Sequence, residues 1–215
     1  MIFLELAKAI WVSMKVSGVA TLLASIMAVP LALLLAGTEF RGKRIVLLIN
    51  QTLMAAPTVV IGLLLYFILS GSGPLGGLGL LYTQTAMIIG QTILILPLLI
   101  GFSYSALKHV DQKARMTALT LGASPSQAGW IVIKEAKFPL LFALLAGFAR
   151  AVSEVGISMM LGGNIRGETR NITTFIALES SKGEFMNGVL LGIVLLCVTL
   201  GINLAVNLGL KTKES

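Results

Sequence analysis

The chain has 215 residues, of which 56% are hydrophobic and 12% are charged, and its formal net charge is +7. A soluble domain usually carries about twice that share of charge, and no Asp, Glu, Lys, Arg or His occurs in the 63 residues between Arg44 and Lys108. The sequence therefore predicts an integral membrane protein. A single cysteine and a single histidine argue against a disulfide framework and a metal site.

Five apolar segments are long enough to cross a membrane, for which roughly 20 residues are needed. The first follows residues 1–15, whose charged residues and Trp11 predict a short amphipathic helix at the interface. The long uncharged run breaks at the glycine-rich sequence 70–80 and therefore forms two spans. The predicted spans are 16–37, 45–69, 84–106, 139–160 and 186–210. These spans predict an all-α integral membrane protein, with residues 1–215 forming one transmembrane domain.

The Lys and Arg residues between the spans predict the orientation, because cytoplasmic loops carry the excess of these residues. One set of loops holds ten: Arg41, Lys43, Arg44, Lys108, Lys113, Arg115, Lys134, Lys137, Lys211 and Lys213. The opposite set holds five: Lys8, Lys15, Arg166, Arg170 and Lys182. We therefore expect a multi-pass protein of the cytoplasmic membrane with its N-terminus outside and its C-terminus inside. Residues 107–138 then form the largest cytoplasmic element.

This cytoplasmic element contains two predicted short helices. In the first, 111–121, Asp111 is a candidate cap, and Ala114, Ala118 and Leu121 are predicted to share a face. Gly122 ends this helix and a second follows over 126–134. Such a pair fits the groove of a partner protein, although its periodicity alone agrees equally well with an ordinary interfacial loop.

The sequence TALTLGASPSQAGWIVIKEAKFPLL, which starts at Thr117, resembles the EAA-type coupling loop of ATP-binding-cassette importer permeases. Thr117 and Ala118 fill the paired small positions and Gly122 fills the glycine. The family's usual glutamate is replaced by Met116, and Glu135 stands near the usual proline, with Pro139 one turn later. The resemblance implies that the ATPase-coupling residues are Met116, Thr117, Ala118, Leu119, Gly122, Ala123, Ser124 and Pro125.

Residues 147–185, with the wording SEVGISMMLGGNIRGETR, are similar to the molybdate, tungstate and sulfate branch of these permeases, and most similar to tungstate permeases. The resemblance implies the MetI-like fold of type I importer permeases. It also implies a homodimer in membrane lipid with two ATPase subunits and an extracytoplasmic oxyanion-binding protein, and no role for nucleic acid.

No Walker-type phosphate loop occurs in the chain, so we expect ATP and Mg²⁺ to bind the partner subunit and expect neither a cofactor nor enzymatic activity here. The alternatives are a molybdate or sulfate importer permease and, from a different class, a secondary transporter or channel that works alone. A self-sufficient transporter would not need the cytoplasmic loop.

Polar residues within the predicted spans are candidates for the translocation path. Arg150 and Glu154 are expected four apart on one helical face, either as a structural ion pair or as a pair that changes partners during transport. Pro57 bends its span, and Thr52 and Thr58 are available either to donate to a passing oxyanion or to join helices.

The glycine-rich sequence 162–170 lies on the predicted outer side. Its basic residues are suited to cradle an anion or to dock a binding protein, and docking is the favoured interpretation. The candidate docking residues are Asn164, Arg166, Thr169 and Arg170.

Overall fold

The computed structural model describes residues 2–110 and 112–211, and within these ranges all regular structure is helical. The α-helices are α1 (Ile2–Gly37), α2 (Lys43–Met54), α3 (Thr58–Leu69), α4 (Gln84–His109), α5 (Gln112–Thr120), α6 (Pro125–Glu135), α7 (Lys137–Val152), α8 (Gly156–Gly162), α9 (Ile172–Ser181) and α10 (Phe185–Lys211). A short 3-10 helix covers Gly76–Leu78. The candidate cap Asp111 and the basic residue Lys213 lie outside the described ranges.

Three of these helices, α1, α4 and α10, are each long and apolar enough to cross a membrane. The pairs α2–α3 and α7–α8 also pass that test, which gives up to five spans if each pair counts as one. The five predicted segments are therefore confirmed in position, and the fold is an all-helical membrane fold.

The second and fourth segments differ from the prediction because each is interrupted. The first break, at residues 55–57, contains Pro57, which has no N–H to donate and restricts the residue before it. The second break covers residues 153–155, so the fourth segment is not one helix running to Met160.

The predicted separate interfacial helix over 1–15 does not occur, since α1 is continuous from Ile2 to Gly37. Gly18, near the junction of the charged segment and the apolar one, does not interrupt the helix, and the same helical face stays buried. Ala9, Val12 and Val16 are almost fully buried on this face. Farther along the same helix, Ala20, Ala24, Ala28 and Ala32 form a stripe with four-residue spacing and 0% exposure. Small side chains at this spacing allow close helix packing.

The chain packs as two compact units, and the predicted single domain over 1–215 stays a prediction. The first unit contains the described residues up to Ser17, together with Val59–Gly90 and the residues from Val152 onward. Its buried clusters are Val12, Val16 and Met87, and Ala9, Ile172, Phe175 and Leu191. The second unit contains Gly18–Thr58 and Gln91–Ala151, with a buried cluster of Ala32, Ala106, Leu107, Val132, Ala136 and Leu140.

Candidate functional site

The turn between α5 and α6 is built from consecutive stop and start signals. Gly122 has a φ of 88°, its N–H donates to the Leu119 carbonyl at 3.1 Å, and the Ala123 N–H donates to the Ala118 carbonyl at 3.0 Å. This is the bonding pattern of a Schellman motif, which ends a helix at a residue with positive φ. The prediction that Gly122 ends the first helix is therefore confirmed.

The second helix begins two residues after this glycine with a capping box. Ser124 Oγ accepts from the Gln127 N–H at 3.3 Å, and Gln127 Oε1 accepts from the Ser124 N–H at 2.8 Å. Pro125 occupies the first turn, where its missing N–H has no cost. The local sequence thus fixes both sides of the bend, and the two predicted short helices are confirmed.

The two faces of this helical pair differ from the predicted arrangement. Ala118 is 7% exposed, whereas Leu121 is 82% exposed, so these residues do not share a face. The reason is that α5 ends at Thr120, before Leu121. The Ala114 side chain lies outside the described residues. Met116 is 62% exposed and Trp130, on α6, is 58% exposed, so the outward apolar groups among the described side chains of this helical pair include Met116, Leu121 and Trp130.

The remaining coupling candidates divide between the surface and partly buried positions. The exposed ones are Thr117, Gly122, Ser124 and Pro125, and the half-buried ones are Leu119 and Ala123. On α6, a Cβ atom at Gly129 would lie 3.2 Å from Leu33 Cδ2, so α6 packs closely on α1. A partner can therefore reach the bend and its exposed side without disturbing that packing.

The candidates for the translocation path on the second segment lie in three different settings. Thr52 Oγ1 donates to the Leu48 carbonyl at 2.9 Å within α2, Pro57 lies in the break, and Thr58 begins α3. Sequence reasoning missed Asn50, which is 9% exposed and whose Nδ2 donates to the Pro97 carbonyl at 3.0 Å. The available signal was the polar sequence Asn50-Gln51-Thr52 within a predicted membrane span.

Arg150 and Glu154 are not four apart on one helix, which corrects the prediction. Arg150 lies in the last turn of α7, which ends at Val152, and Glu154 lies in the following break. Glu154 is 3% exposed, and its Oε1 accepts from the Ile157 N–H at 3.2 Å, near the start of α8. Thr173 Oγ1 donates to the Glu154 carbonyl at 2.9 Å. Glu154 therefore helps to begin the second half of the broken segment.

The 162–170 loop, meaning residues 162 to 170, is held largely by its own predicted docking residues. Thr169 is 1% exposed; its Oγ1 donates to the Gly162 carbonyl and accepts from the Ile165 N–H at 3.0 Å. Arg170 Nε donates to Asn164 Oδ1 at 3.1 Å. These contacts make Thr169 a structural residue and tie Arg170 to Asn164.

Glu5, which sequence reasoning did not assign to any site, contacts both arginines of this loop. Its Oε2 lies 2.7 Å from Arg166 Nη2, and its Oε1 accepts from Arg170 Nη1. The Arg170 guanidinium also lies 5.4 Å from the Phe175 ring centroid. The two cations that are candidates for an anion cradle therefore share one carboxylate, which reduces the positive potential of the loop.

A second ionic cluster lies at the end of α9. Lys182 Nζ donates to Glu179 Oε1 at 2.7 Å, and Asn187 Nδ2 donates to Glu179 Oε2 at 3.3 Å. The hydrogen bond from Lys182 lowers the pKa of Glu179, against the opposing effect of burial. Within the described ranges, no three His, Cys, Asp or Glu side chains lie together in a way that would hold a metal ion.

Residues 28–211 match the family model described as the binding-protein-dependent transport system inner membrane component. The chain is 41% identical to the tungstate uptake system permease protein TupB of Peptoclostridium acidaminophilum, over 90% of this chain and 85% of the relative. It is 40% identical to TupB of Campylobacter jejuni, over 77% of this chain and 69% of the relative.

Two other similarities are more distant. The chain is 27% identical to the molybdenum transport system permease protein ModB of Azotobacter vinelandii, over 84% of this chain and 85% of the relative. Its fold is similar to that in the crystal structure of an amino acid ABC transporter with histidines, with a TM-score of 0.68 and 16% identity. This likeness covers 95% of this chain and 92% of the solved one.

Proposed function

Because the chain belongs to the family of inner membrane components of binding-protein-dependent transport systems, we propose that it is the permease subunit of an ATP-driven importer of tungstate. The observation that carries the substrate is the difference in identity among its relatives. Identity is 40–41% with two tungstate permeases and 27% with a molybdenum permease. Molybdate, which is also a tetrahedral dianion, is the alternative substrate.

The α5–α6 turn is the proposed contact with a separate ATPase subunit. Its bend is fixed by local hydrogen bonds, so it is suited to transmit a push, and Met116 and Leu121 offer apolar side chains to a partner surface. Buried Ala118 then supports the turn from within and does not contact the partner. Two permease copies, two ATPase subunits and an extracytoplasmic binding protein complete the proposed assembly.

The 162–170 loop remains the proposed dock for the binding protein, with Arg166 as its main contact. The Arg166 side chain is 58% exposed, whereas the Arg170 side chain is 14% exposed and bonded to Asn164. Glu5 partly neutralises both cations. This arrangement favours a docking site from which the binding protein can dissociate, and it does not favour a site that retains an anion.

Transport by the reconstituted assembly tests the function. The permease is co-expressed with an ATPase subunit and an oxyanion-binding protein of the same class of importer, and uptake into proteoliposomes is measured with tungstate, molybdate and sulfate. We expect ATP-dependent uptake of labelled tungstate. Excess unlabelled tungstate should inhibit this uptake more strongly than molybdate or sulfate at the same concentration. Uptake without ATP and without the ATPase subunit would indicate a stand-alone transporter, and stronger inhibition by molybdate would assign that substrate instead.

The proposed orientation places the N-terminus outside and the C-terminus inside. Cysteines introduced at Ser126, in α6, and at Glu168, in the 162–170 loop, should label from opposite sides of the membrane. The variants are made with Cys197 replaced by Ala, since Cys197 is exposed. Labelling of both positions from one side would contradict this topology.

A further inference from the structure

A cavity of about 480 Å³ lies between α2 and α4 in the second unit. It is called here the α2–α4 cavity, and it is lined by Leu47, Asn50, Gln51, Met54, Gly101, Phe102, Tyr104, Ser105 and Lys108. The two helices approach closely at Gly101, where a Cβ atom would lie 2.9 Å from Met54 Sδ and 3.3 Å from Asn50 Nδ2. The Asn50 amide is fixed there by its bond to the Pro97 carbonyl.

The lining of this cavity offers hydrogen-bond donors that the described protein groups do not use. Gln51, Ser105 and Lys108 are exposed and Tyr104 is half-buried. Within residues 2–110 and 112–211, the structure shows no hydrogen bond from the Gln51 amide, the Tyr104 hydroxyl or the Ser105 hydroxyl, and no carboxylate in ion-pair contact with Lys108. Four donor-bearing side chains therefore face one space.

The charge of the lining is positive. Its nine residues include Lys108 and no acidic residue. Lys108 Nζ lies 5.8 Å from the Tyr104 ring centroid, which keeps the ammonium beside the Tyr104 side chain. Lys43 Nζ lies at the same distance from that ring, but it is paired with Glu39 at 2.7 Å. Lys108 is therefore the cation available to a ligand among the described residues here.

We propose that the α2–α4 cavity is a low-affinity site for a tetrahedral oxyanion, held by Lys108, Tyr104, Ser105 and Gln51. An oxyanion of this kind has only acceptor oxygens and a double negative charge, which matches a lining of donors with one cation. The cavity is many times larger than the roughly 30 Å³ that one water occupies in the liquid, so the anion keeps part of its hydration. Weak, hydrated binding is what a transport path requires, because the ion must leave again.

The inference deepens the proposed function, because it places on the transport path a site for the anion that the importer carries. It differs from the predicted anion contacts Thr52 and Thr58, neither of which lines this cavity, and Thr52 donates within α2. The site is formed within one copy of the chain, so binding can be measured on the purified permease alone.

The experiment uses the full-length permease in nanodiscs, with the changes Cys197→Ala and Phe102→Cys, because Phe102 lines the cavity and is exposed but is not one of the proposed anion contacts. The rate at which a neutral thiol reagent labels the cysteine introduced in the cavity is measured with sodium tungstate and with sodium chloride at equal ionic strength. We expect tungstate to slow labelling at least about twofold where chloride does not, with a weaker effect in Lys108→Gln and in Tyr104→Phe. A cysteine introduced at Ser126 is the reference position and should label equally in both salts.

A second measurement tests the positive potential of the cavity. The labelling rate of a negatively charged sulfonate reagent is divided by that of the neutral reagent. This ratio should fall by about 3- to 10-fold in Lys108→Gln, and the fall should be smaller at high salt. Lys134→Gln is the matched control, because Lys134 also lies 5.8 Å from an aromatic ring centroid, that of Trp130, but does not line the cavity. An equal fall in both variants would overturn the assignment to Lys108.

The two proposals fail in distinguishable ways. Two results would overturn the anion site whatever the transport assay shows. One is that chloride protects the introduced cysteine as well as tungstate does; the other is that protection by tungstate is unchanged in both Lys108→Gln and Tyr104→Phe. The opposite case is also distinct. If tungstate protects the cysteine with the expected pattern among the variants, but the assembly shows no ATP-dependent uptake of tungstate, molybdate or sulfate, the anion site is retained and the proposed function is overturned.

Discussion

Glu5 joins the first turn of α1 to the 162–170 loop through Arg166, whose Nη2 lies 2.7 Å from Glu5 Oε2. The same carboxylate accepts from Arg170 Nη1 through its other oxygen. The two arginine side chains differ in environment, since 58% of Arg166 and 14% of Arg170 is exposed. One carboxylate thus pairs with an exposed cation and with a nearly buried one.

Replacement of either arginine by Met should separate these two contributions. Arg170→Met leaves a largely buried carboxylate with one exposed partner and removes the bond to Asn164, and should destabilise the protein by about 3–5 kcal/mol. Arg166→Met removes an exposed pair and should cost about 0–1 kcal/mol. Unfolding in detergent micelles measures both changes, and equal losses would contradict the assigned difference in environment.

The Asn171 side chain begins α9 and also bonds to another segment. Its Oδ1 accepts from the Thr174 N–H at 2.9 Å, and its Nδ2 donates to Ser158 Oγ at 3.1 Å. Asn171→Ala removes both and should cost about 1–2 kcal/mol. Asn171→Ser retains an N-cap acceptor but does not reach Ser158, so its loss should be smaller. The free energy of unfolding checks this order, and a greater loss in the Ser variant would refute it.

The exposure of the α5–α6 turn predicts which substitutions affect the partner and which affect the fold. Leu121→Asp changes a side chain that is 82% exposed, so permease stability should stay within about 0.5 kcal/mol. Association with the ATPase should nevertheless fall by about tenfold, because a charge replaces an apolar contact. Co-purification and unfolding of the same samples test both statements, and full association would argue against the proposed contact.

Ala118→Glu is the contrasting variant. Ala118 is 7% exposed, so a glutamate there places a charge without a partner inside the protein and should unfold the turn itself. Proteolysis within residues 112–135 should therefore be faster in this variant than in Leu121→Asp. Equal proteolysis rates would mean that Ala118 faces outward and that it is available to the partner.

The Glu179–Lys182 pair predicts acid sensitivity. A carboxyl group whose pKa is lower in the folded state than in the unfolded state contributes stability above its unfolded pKa. That contribution is lost as the pH falls through the lowered folded pKa. The unfolding temperature of the parent protein should therefore drop in that acidic range more steeply than that of Glu179→Gln. Parallel curves from pH 7 to about pH 3 would show that the pair does not contribute.

Local signals explain what the sequence predicted correctly. The apolar runs located all five segments because the bilayer sets their length. Gly122 located the α5–α6 turn because it acts on backbone groups within a few residues, and the Ser124–Gln127 capping box is an equally local signal that the prediction did not use. The break at Pro57 has the same local character, although the sequence predicts a bend there and the structure has a full interruption of the helix.

Most of the incorrect predictions concern contacts between residues distant in sequence, and the arrangement of Ala118 and Leu121 is a local exception. The break after Val152 contains no proline, and Glu154 is held there by Thr173 from beyond the next helix. Glu5 forms ion pairs with Arg166 and Arg170 in the 162–170 loop, and no periodicity in the first segment indicates these contacts. Ala118 and Leu121 differ because α5 ends one residue earlier than the helical pattern alone suggests.

The length of α1 determines how the protein responds to bilayer thickness. Its 36 residues extend about 54 Å along the helix, whereas the hydrocarbon core is about 30 Å thick. Tilting by up to about 40° does not remove that excess. The N-terminal part of α1 is fixed to other parts of the protein. Glu5 pairs with Arg166 and Arg170, and Ser13 Oγ accepts from the Ile172 N–H at 2.9 Å. A thicker or thinner membrane therefore shifts the lipid boundary along α1 while these protein contacts hold its N-terminal end in place.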